Sequence, residues 1–187
     1  IVALCILVGL ALSACGGGNK STSESSKVAT DGEPIEIVIS HIVDENHTWH
    51  KGAEKFKEVA EEKSGGRLKV SIYPNSQLGN EIDTIQSILT GGGCDITFTA
   101  ESMQTYAEEL GVIGMPYAIK SEKQLYNVLD GEVGKEMEDI MLKSGMRVLG
   151  YFVRGPRNIT SNTPIKTPDD LKGFIIRTPQ SPMTVAA

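Results

Sequence analysis

The feature that most constrains the fold is a regular alternation of strand-like and helix-like segments, which begins near residue 35 of the 187-residue chain. Residues 35–41 and 67–73 carry β-branched or alternating apolar residues and predict strands, and a third strand is predicted over 94–99. Amphipathic segments of helical period lie between them, at about 48–64 and 80–90. Because strands that alternate with helices form βαβ units, the pattern predicts an α/β fold with a parallel sheet.

The rest of the chain continues this pattern. Helices are predicted over about 121–129 and 132–144, and strands over 146–153 and 174–178. In parallel sheets, ligands bind beyond the carboxyl ends of the strands, which are therefore the first places to search for a binding site. For the first three strands these ends fall at residues 41–47, 74–81 and 99–103.

The charge balance argues against a nucleic-acid partner. The chain has 18 Lys and Arg against 24 Asp and Glu, a net charge of −6, whereas phosphate backbones are bound by clustered basic side chains. The 3 cysteines, Cys5, Cys15 and Cys94, are too few for a disulfide framework and fit no metal-binding spacing. Cys94 has apolar neighbours along the chain and is expected to be a residue of the core.

Enzymatic chemistry has little support in the residue pattern, and neither a cofactor nor a metal ion is expected. The chain has no Gly-x-Ser-x-Gly nucleophile motif and no phosphate-binding loop that ends in Gly-Lys-Ser/Thr. His41, His47 and His50 lie within ten residues, but their spacings of six and three differ from the His-x-x-x-His of helical zinc sites. A secreted enzyme that uses these histidines with Glu45 or Glu81 and a metal ion is the alternative.

The first 14 residues are apolar or small and carry no charge. They are too few to span a bilayer, which takes about 20, but they suit the apolar part of a secretory signal whose basic start is expected to precede Ile1. Leu12-Ser13-Ala14-Cys15 resembles a bacterial lipobox, whose Cys thiol receives a diacylglycerol, and a Gly- and Ser-rich segment follows. We therefore expect 1–15 to be a lipoprotein signal peptide that ends at lipidated Cys15. Residues 16–34 are expected to be a flexible linker, in a protein anchored by lipid outside the cytoplasm.

Arg177 is the most informative arginine. It follows the apolar run 174–176 and precedes Thr178-Pro179, so it lies at the carboxyl end of a predicted strand. Its guanidinium either forms a surface ion pair or captures a ligand carboxylate through two parallel hydrogen bonds, for which arginine geometry is suited.

Several strings of residues together resemble the solute-binding proteins of TRAP transporters, the DctP-type family. The similarity covers about residues 35–183, and the strings occur in the family's order. They are Gly-Arg-Leu-Lys-Val-Ser-Ile-Tyr-Pro-Asn-Ser-Gln-Leu-Gly-Asn-Glu at 66–81, Gly114-Met115-Pro116-Tyr117, Arg157 with Thr160-Ser161-Asn162, and Thr-Pro-Asp-Asp-Leu-Lys-Gly-Phe-Ile-Ile-Arg-Thr-Pro at 167–179.

The resemblance implies an extracytoplasmic receptor that captures a carboxylate-containing organic anion and delivers it to the TRAP membrane permease. It also implies a periplasmic-binding-protein-like fold, in which two α/β lobes close over the ligand. We expect 35–152 to be the first lobe, and 153–187 to be the hinge and the truncated beginning of the second lobe. A ligand-sensing module that serves a receptor instead of a permease is the other function left open.

The resemblance assigns site residues as well. The family's signature arginine, which pairs with the substrate carboxylate, falls on Arg177, and a second arginine of the site falls on Arg157. The acidic position after Gln-Leu-Gly falls on Glu81, and that position helps hold the ligand in sialic-acid-binding relatives. The other residues expected to line the cleft are His41, Thr99, Ala100, Glu101 and Gln180.

Overall fold

The structure is a computed structural model, and it describes residues 32–179 and 181–186. The predicted signal peptide with Cys15, most of the predicted linker, and Gln180 lie outside the described residues. None of the helices in the described ranges is both long enough and apolar enough to cross a membrane.

A three-stranded parallel sheet organises the first half of the described chain. The strands are β1 (Ile35–Ser40), β2 (Leu68–Tyr73) and β3 (Ile96–Thr97). The strand β1 lies in the middle, with β2 on one side and β3 on the other. Ser40 is aligned with Tyr73 and with Thr97, so the three carboxyl ends meet at one edge of the sheet. The predicted parallel sheet is confirmed.

The strand β3 has two residues, although the pattern predicts six over 94–99. The reason is Asp95, whose Oδ2 accepts a 2.8 Å hydrogen bond from the amide of Val38 in β1. The amide of Asp95 in turn donates to the carbonyl oxygen of Val38 at 2.9 Å. Because a side chain takes the place of a backbone carbonyl here, the ladder between β1 and β3 begins only at Ile96.

The predicted helices before residue 145 are confirmed, with ends that differ by one residue. Local signals fix these ends: Asn80 and Asp83 form a capping box at the start of the second helix, and Gly91, at φ 68°, ends it. The helices are α1 (Thr48–Lys63), α2 (Glu81–Thr90), α3 (Glu122–Leu129), α4 (Glu132–Lys143) and the unpredicted α5 (Pro182–Ala186). Three unpredicted 3₁₀ helices span Glu101–Thr105, Glu108–Gly114 and Pro168–Leu171.

Two groups of buried apolar side chains hold these elements together. The first lies between α1 and the sheet and consists of Ile39, Ala53 and Val70. The second joins α2 to α4 and to the 3₁₀ helices, and it contains Ile85, Ala107, Leu110, Met137, Met141 and Met146. Cys94 is buried, as predicted, and burial raises the pKa of its thiol.

The predicted strands at 146–153 and 174–178 are wrong. A strand requires a neighbouring segment that supplies hydrogen-bond partners to its backbone. Within the described ranges, no backbone–backbone hydrogen bond joins residues 147–166 to another segment, and Phe174 donates only to the nearby Leu171. Both segments have the composition of a strand, but no strand in the described part of the chain pairs with them, so they are irregular.

Candidate functional site

Three of the predicted binding residues form one hydrogen-bonded group at the carboxyl edge of the sheet. Glu81 is the first residue of α2, and its Oε2 accepts hydrogen bonds from the Thr99 hydroxyl at 2.9 Å and from the Ala100 amide at 3.3 Å. Thr99 and Ala100 follow β3, and α2 follows β2, so the topology itself delivers all three to the same edge. The parallel sheet thus places Glu81, Thr99 and Ala100 together, as the sequence predicts.

Next to this group lies an ion-pair cluster that we call the arginine–glutamate triad, made of Arg154, Glu101 and Arg157. Glu101 begins the first 3₁₀ helix, and its Oε1 accepts a hydrogen bond from Nη2 of Arg157. Its Oε2 lies 3.9 Å from Nη2 of Arg154. The Glu101 side chain is 21% exposed, so the triad is open to solvent on one side.

The triad keeps Glu101 ionised. Burial opposes ionisation of this carboxyl. Hydrogen bonds from its own backbone amide and from Arg157, together with the charges of Arg157 and Arg154, outweigh burial and hold the pKa of Glu101 below its ordinary value. Glu101 is therefore a carboxylate at neutral pH.

An aromatic column connects the triad to α1. The guanidinium carbon of Arg154 lies 5.6 Å from the centroid of the Trp49 ring, within cation–π range. Trp49 stacks on Phe98 with a centroid distance of 5.7 Å, and Phe98 meets Phe152 edge-on at 5.2 Å. Arg154 is therefore held by two different elements of the fold, through Trp49 in α1 and through Glu101 in the first 3₁₀ helix.

His41 lies beneath this column, and both of its ring nitrogens have partners within the protein. Its Nδ1 lies 3.1 Å from the Val43 carbonyl oxygen, which can only accept, so Nδ1 carries the hydrogen. Its Nε2 then accepts the 3.0 Å hydrogen bond from Nδ1 of His50. Burial, and then the neighbouring His50, lower the pKa of His41, so the ring is neutral. The structure thus places His41 as a buried support for Phe98, and its contact with a ligand stays a prediction.

The three histidines have separate roles. The His47 side chain caps α1 by accepting the Trp49 amide at 3.1 Å. His50 lies between His41 and Glu54, with its Nε2 3.7 Å from the Glu54 carboxylate. In the part of the chain that the structure describes, no three His, Cys, Asp or Glu side chains are grouped closely enough to hold a metal ion.

Arg177 is exposed and is not brought into contact with the triad. Among the described residues, it takes part in no hydrogen bond or ion pair with another side chain. The segment that contains Arg177 is nevertheless attached to the 3₁₀ helix that Glu101 begins. The buried Ser181 hydroxyl accepts a 3.0 Å hydrogen bond from Gln104, a residue of the 3₁₀ helix that Glu101 begins. Because four residues of extended chain span at most about 14 Å, the Cα atom of Arg177 lies within that distance of Ser181.

Reasoning from the sequence does not single out Arg154, Trp49, Phe98 or Phe152. Arg154 lies three residues before Arg157 in an irregular segment, and this spacing is its one signal in the sequence. Its contacts with Glu101 and Trp49 arise from the tertiary fold, so no local pattern reports them. The structure thus adds a third guanidinium, that of Arg154, and an aromatic column to the predicted set.

Arginine side chains, carboxylates and hydrogen-bond donors thus lie together at the carboxyl edge of a parallel sheet, which is where ligands bind in folds of this kind. A sequence profile described as "Bacterial extracellular solute-binding protein, family 7" matches residues 39–187, and the chain belongs to that family. The family consists of substrate-binding receptors rather than enzymes. The predicted family is thus confirmed.

Two curated relatives are similar over most of the chain. The solute-binding protein RD1_1052 of Roseobacter denitrificans is 37% identical over 154 residues, which are 82% of this chain and 47% of that protein. The C4-dicarboxylate-binding protein DctB of Bacillus subtilis is 35% identical over 80% of this chain and 43% of its own. The chain spans about half the length of the curated relatives that it matches.

Solved structures of TRAP periplasmic solute-binding proteins have the same fold. The Roseobacter denitrificans protein with bound L-galactonate aligns with a TM-score of 0.76 at 36% identity, over 79% of this chain and 49% of that one. A Sulfitobacter protein with bound β-D-galacturonate aligns with a TM-score of 0.70 at 29% identity, over 73% and 46%. These neighbours have two lobes, of which this chain covers part, and the predicted fold class is confirmed.

Proposed function

We propose that this chain is part of a receptor outside the cytoplasm that captures a carboxylate-containing organic anion and delivers it to the membrane permease of a TRAP transporter. The observation that carries the proposal is the polar group at the carboxyl edge, where Glu81, Thr99 and Ala100 lie beside the arginine–glutamate triad. Membership of the solute-binding family supports it, as do the sugar acids bound to two similar structures. The receptor binds its ligand reversibly and releases it unchanged.

Within this proposal, Arg177 is the carboxylate anchor. A guanidinium can offer two parallel hydrogen bonds to one carboxylate, and the exposed Arg177 has both available to a ligand. Arg157, already paired with Glu101, is a second arginine of the cleft that offers its remaining donors. The other residues of the proposed cleft are Glu81, Thr99, Ala100, His41 and Gln180.

We also propose the domain division that the sequence suggests. Residues 35–152 are the first lobe, which agrees with the position of the sheet and of helices α1 to α4 within that range. Residues 153–187 are the hinge and the beginning of a second lobe, which would close over the ligand. Arg157 and Arg177 both lie in this second range; Arg157 is already bonded to Glu101 at the carboxyl edge of the first lobe, and closure would bring the charge of Arg177 toward that edge.

The receptor is proposed to be held at the membrane by lipid on Cys15. In a precursor with its complete signal, Cys15→Ser is expected to abolish incorporation of labelled fatty acid and to move the protein from the membrane fraction to the soluble fraction. The reason is that only the Cys thiol can receive the diacylglycerol. Cys94→Ser is the matched control, because Cys94 is buried in the fold, and it should leave labelling unchanged. Labelling that persists in Cys15→Ser would contradict the anchor.

A ligand screen on the full-length protein without its signal peptide tests the function. Carboxylic acids, including sugar acids and C4-dicarboxylates, are scored by the rise in melting temperature, because a ligand that binds the native state alone stabilises it. We expect at least one of them to bind, and calorimetric titration then gives its dissociation constant. A screen in which no carboxylate raises the melting temperature would overturn the proposed function.

A further inference from the structure

Charge is balanced at the carboxyl edge of the sheet before any ligand arrives. Arg154 and Arg157 contribute two positive charges, and Glu101 and Glu81 contribute two negative ones. Glu101 is shared by both guanidiniums, and Glu81 is held by the Thr99 hydroxyl and the Ala100 amide. An anion that reaches this edge therefore finds no uncompensated positive charge among these four side chains.

Resting on the function proposed above, we infer that this edge selects monocarboxylates that carry hydroxyl groups over dicarboxylates, and that Glu101 makes the selection. A hydroxyl group donates a hydrogen bond to a carboxylate oxygen, whereas a second ligand carboxylate placed there meets a like charge. The ligand's single carboxylate is bound by Arg177. A polyhydroxylated acid such as an aldonate or a uronate has this distribution of groups.

Glu101 has the free acceptor capacity that the selection requires. Its Oε1 is bonded to Arg157, but its Oε2 lies 3.9 Å from Arg154, beyond hydrogen-bond distance. A carboxylate has about four lone-pair positions, so Oε2 can accept from a ligand hydroxyl. The partial exposure of the Glu101 side chain lets a ligand reach it.

Arg154 is the positioning residue for Glu101. Its guanidinium lies over the Trp49 ring, and its Nη2 lies 3.9 Å from Oε2 of Glu101, whereas Arg157 is bonded to Oε1. Removal of Arg154 would leave the edge with one positive and two negative charges. That change weakens the binding of every anion. It weakens the binding of a dicarboxylate most, because a dicarboxylate carries two charges.

The test compares two probes, D-galacturonate and succinate, by calorimetric titration of the full-length protein. We expect wild type to bind D-galacturonate at least about a hundredfold more tightly than succinate. Glu101→Gln removes the like charge and should narrow this ratio about tenfold or more. Arg154→Gln should widen the ratio, and Arg154→Lys should keep it close to wild type, because lysine retains the charge.

The ratio of two affinities within one variant does not depend on the fraction of protein that is folded, so partial unfolding does not obscure the result. Glu108→Gln is the matched control, since Glu108 is exposed and begins the next 3₁₀ helix, and it should leave the ratio unchanged. Equal affinities of wild type for the two probes, or an unchanged ratio in Glu101→Gln, would overturn the inference and leave the proposed function intact. Absence of carboxylate binding by wild type would overturn both.

Discussion

Arg177→Gln is expected to weaken binding of the best carboxylate ligand by about two to four orders of magnitude. Hydrogen bonds to charged groups contribute about 1.5–3 kcal/mol each, and two parallel ones are lost together. Arg177→Lys should recover part of this loss, because lysine keeps the charge but cannot offer the two-pronged geometry. The measurement is calorimetric titration of the full-length protein and both variants.

The control for this experiment is Arg147→Gln. Arg147 is also exposed, and among the described residues it forms no ion pair, so its replacement removes a charge of the same type from a residue that is not assigned to the proposed cleft. It should change affinity by less than about threefold, the scale of a screened surface charge. Wild-type affinity in Arg177→Gln would show that the carboxylate is bound elsewhere.

Gly134→Ala is expected to destabilise the fold by about 3 kcal/mol, at the upper end of what overpacking costs. A Cβ atom at Gly134, in the first turn of α4, would lie 1.8 Å from the carbonyl oxygen of Leu129 and 2.4 Å from its carbonyl carbon. Both atoms belong to the backbone, so a side-chain rotation cannot relieve the contact. The connection between α3 and α4 must shift, and with it Met137 and Met141 in the core.

Chemical denaturation measures this effect as a change in the free energy of unfolding. The matched control is Gly150→Ala, because no atom lies within 4 Å of a Cβ atom built at Gly150. That substitution should alter stability by less than about 0.5 kcal/mol, as is usual for surface changes. Equal stability of Gly134→Ala and wild type would mean that α3 and α4 do not pack as described.

The parts of the fold that are predictable from the sequence are those set by local signals. The periodicity of α1 and α2, the Asn80 capping box and the glycine at 91 each act within a few residues, and the ends of these helices follow from them. The length of a strand, in contrast, depends on the neighbouring segment that pairs with it. A pattern of hydrophobic residues does not reveal that the Asp95 carboxylate takes the place of a backbone acceptor. Nor does it reveal that, among the described residues, no strand pairs with 146–153.

The candidate site divides in the same way. Glu81, Thr99 and Ala100 were predictable because the carboxyl ends of parallel strands meet at one edge. The pairing of Glu101 with Arg157 joins residues 56 positions apart, and the position of Arg154 over Trp49 depends on α1. Such contacts require the tertiary fold, and they are the ones from which the selection of ligands is inferred.

The hydrogen bond between Gln104 and Ser181 has a consequence for the order in which the protein folds. It closes a loop of 77 residues, and the accompanying bond from the Met183 amide to Gln104 closes one of 79. The chain entropy lost in such a closure must be offset by contacts that form only at the end, whereas the strand–helix units join segments close in sequence. The sheet and its helices therefore assemble first, and the segment that contains Arg177 then packs against the folded sheet and helices.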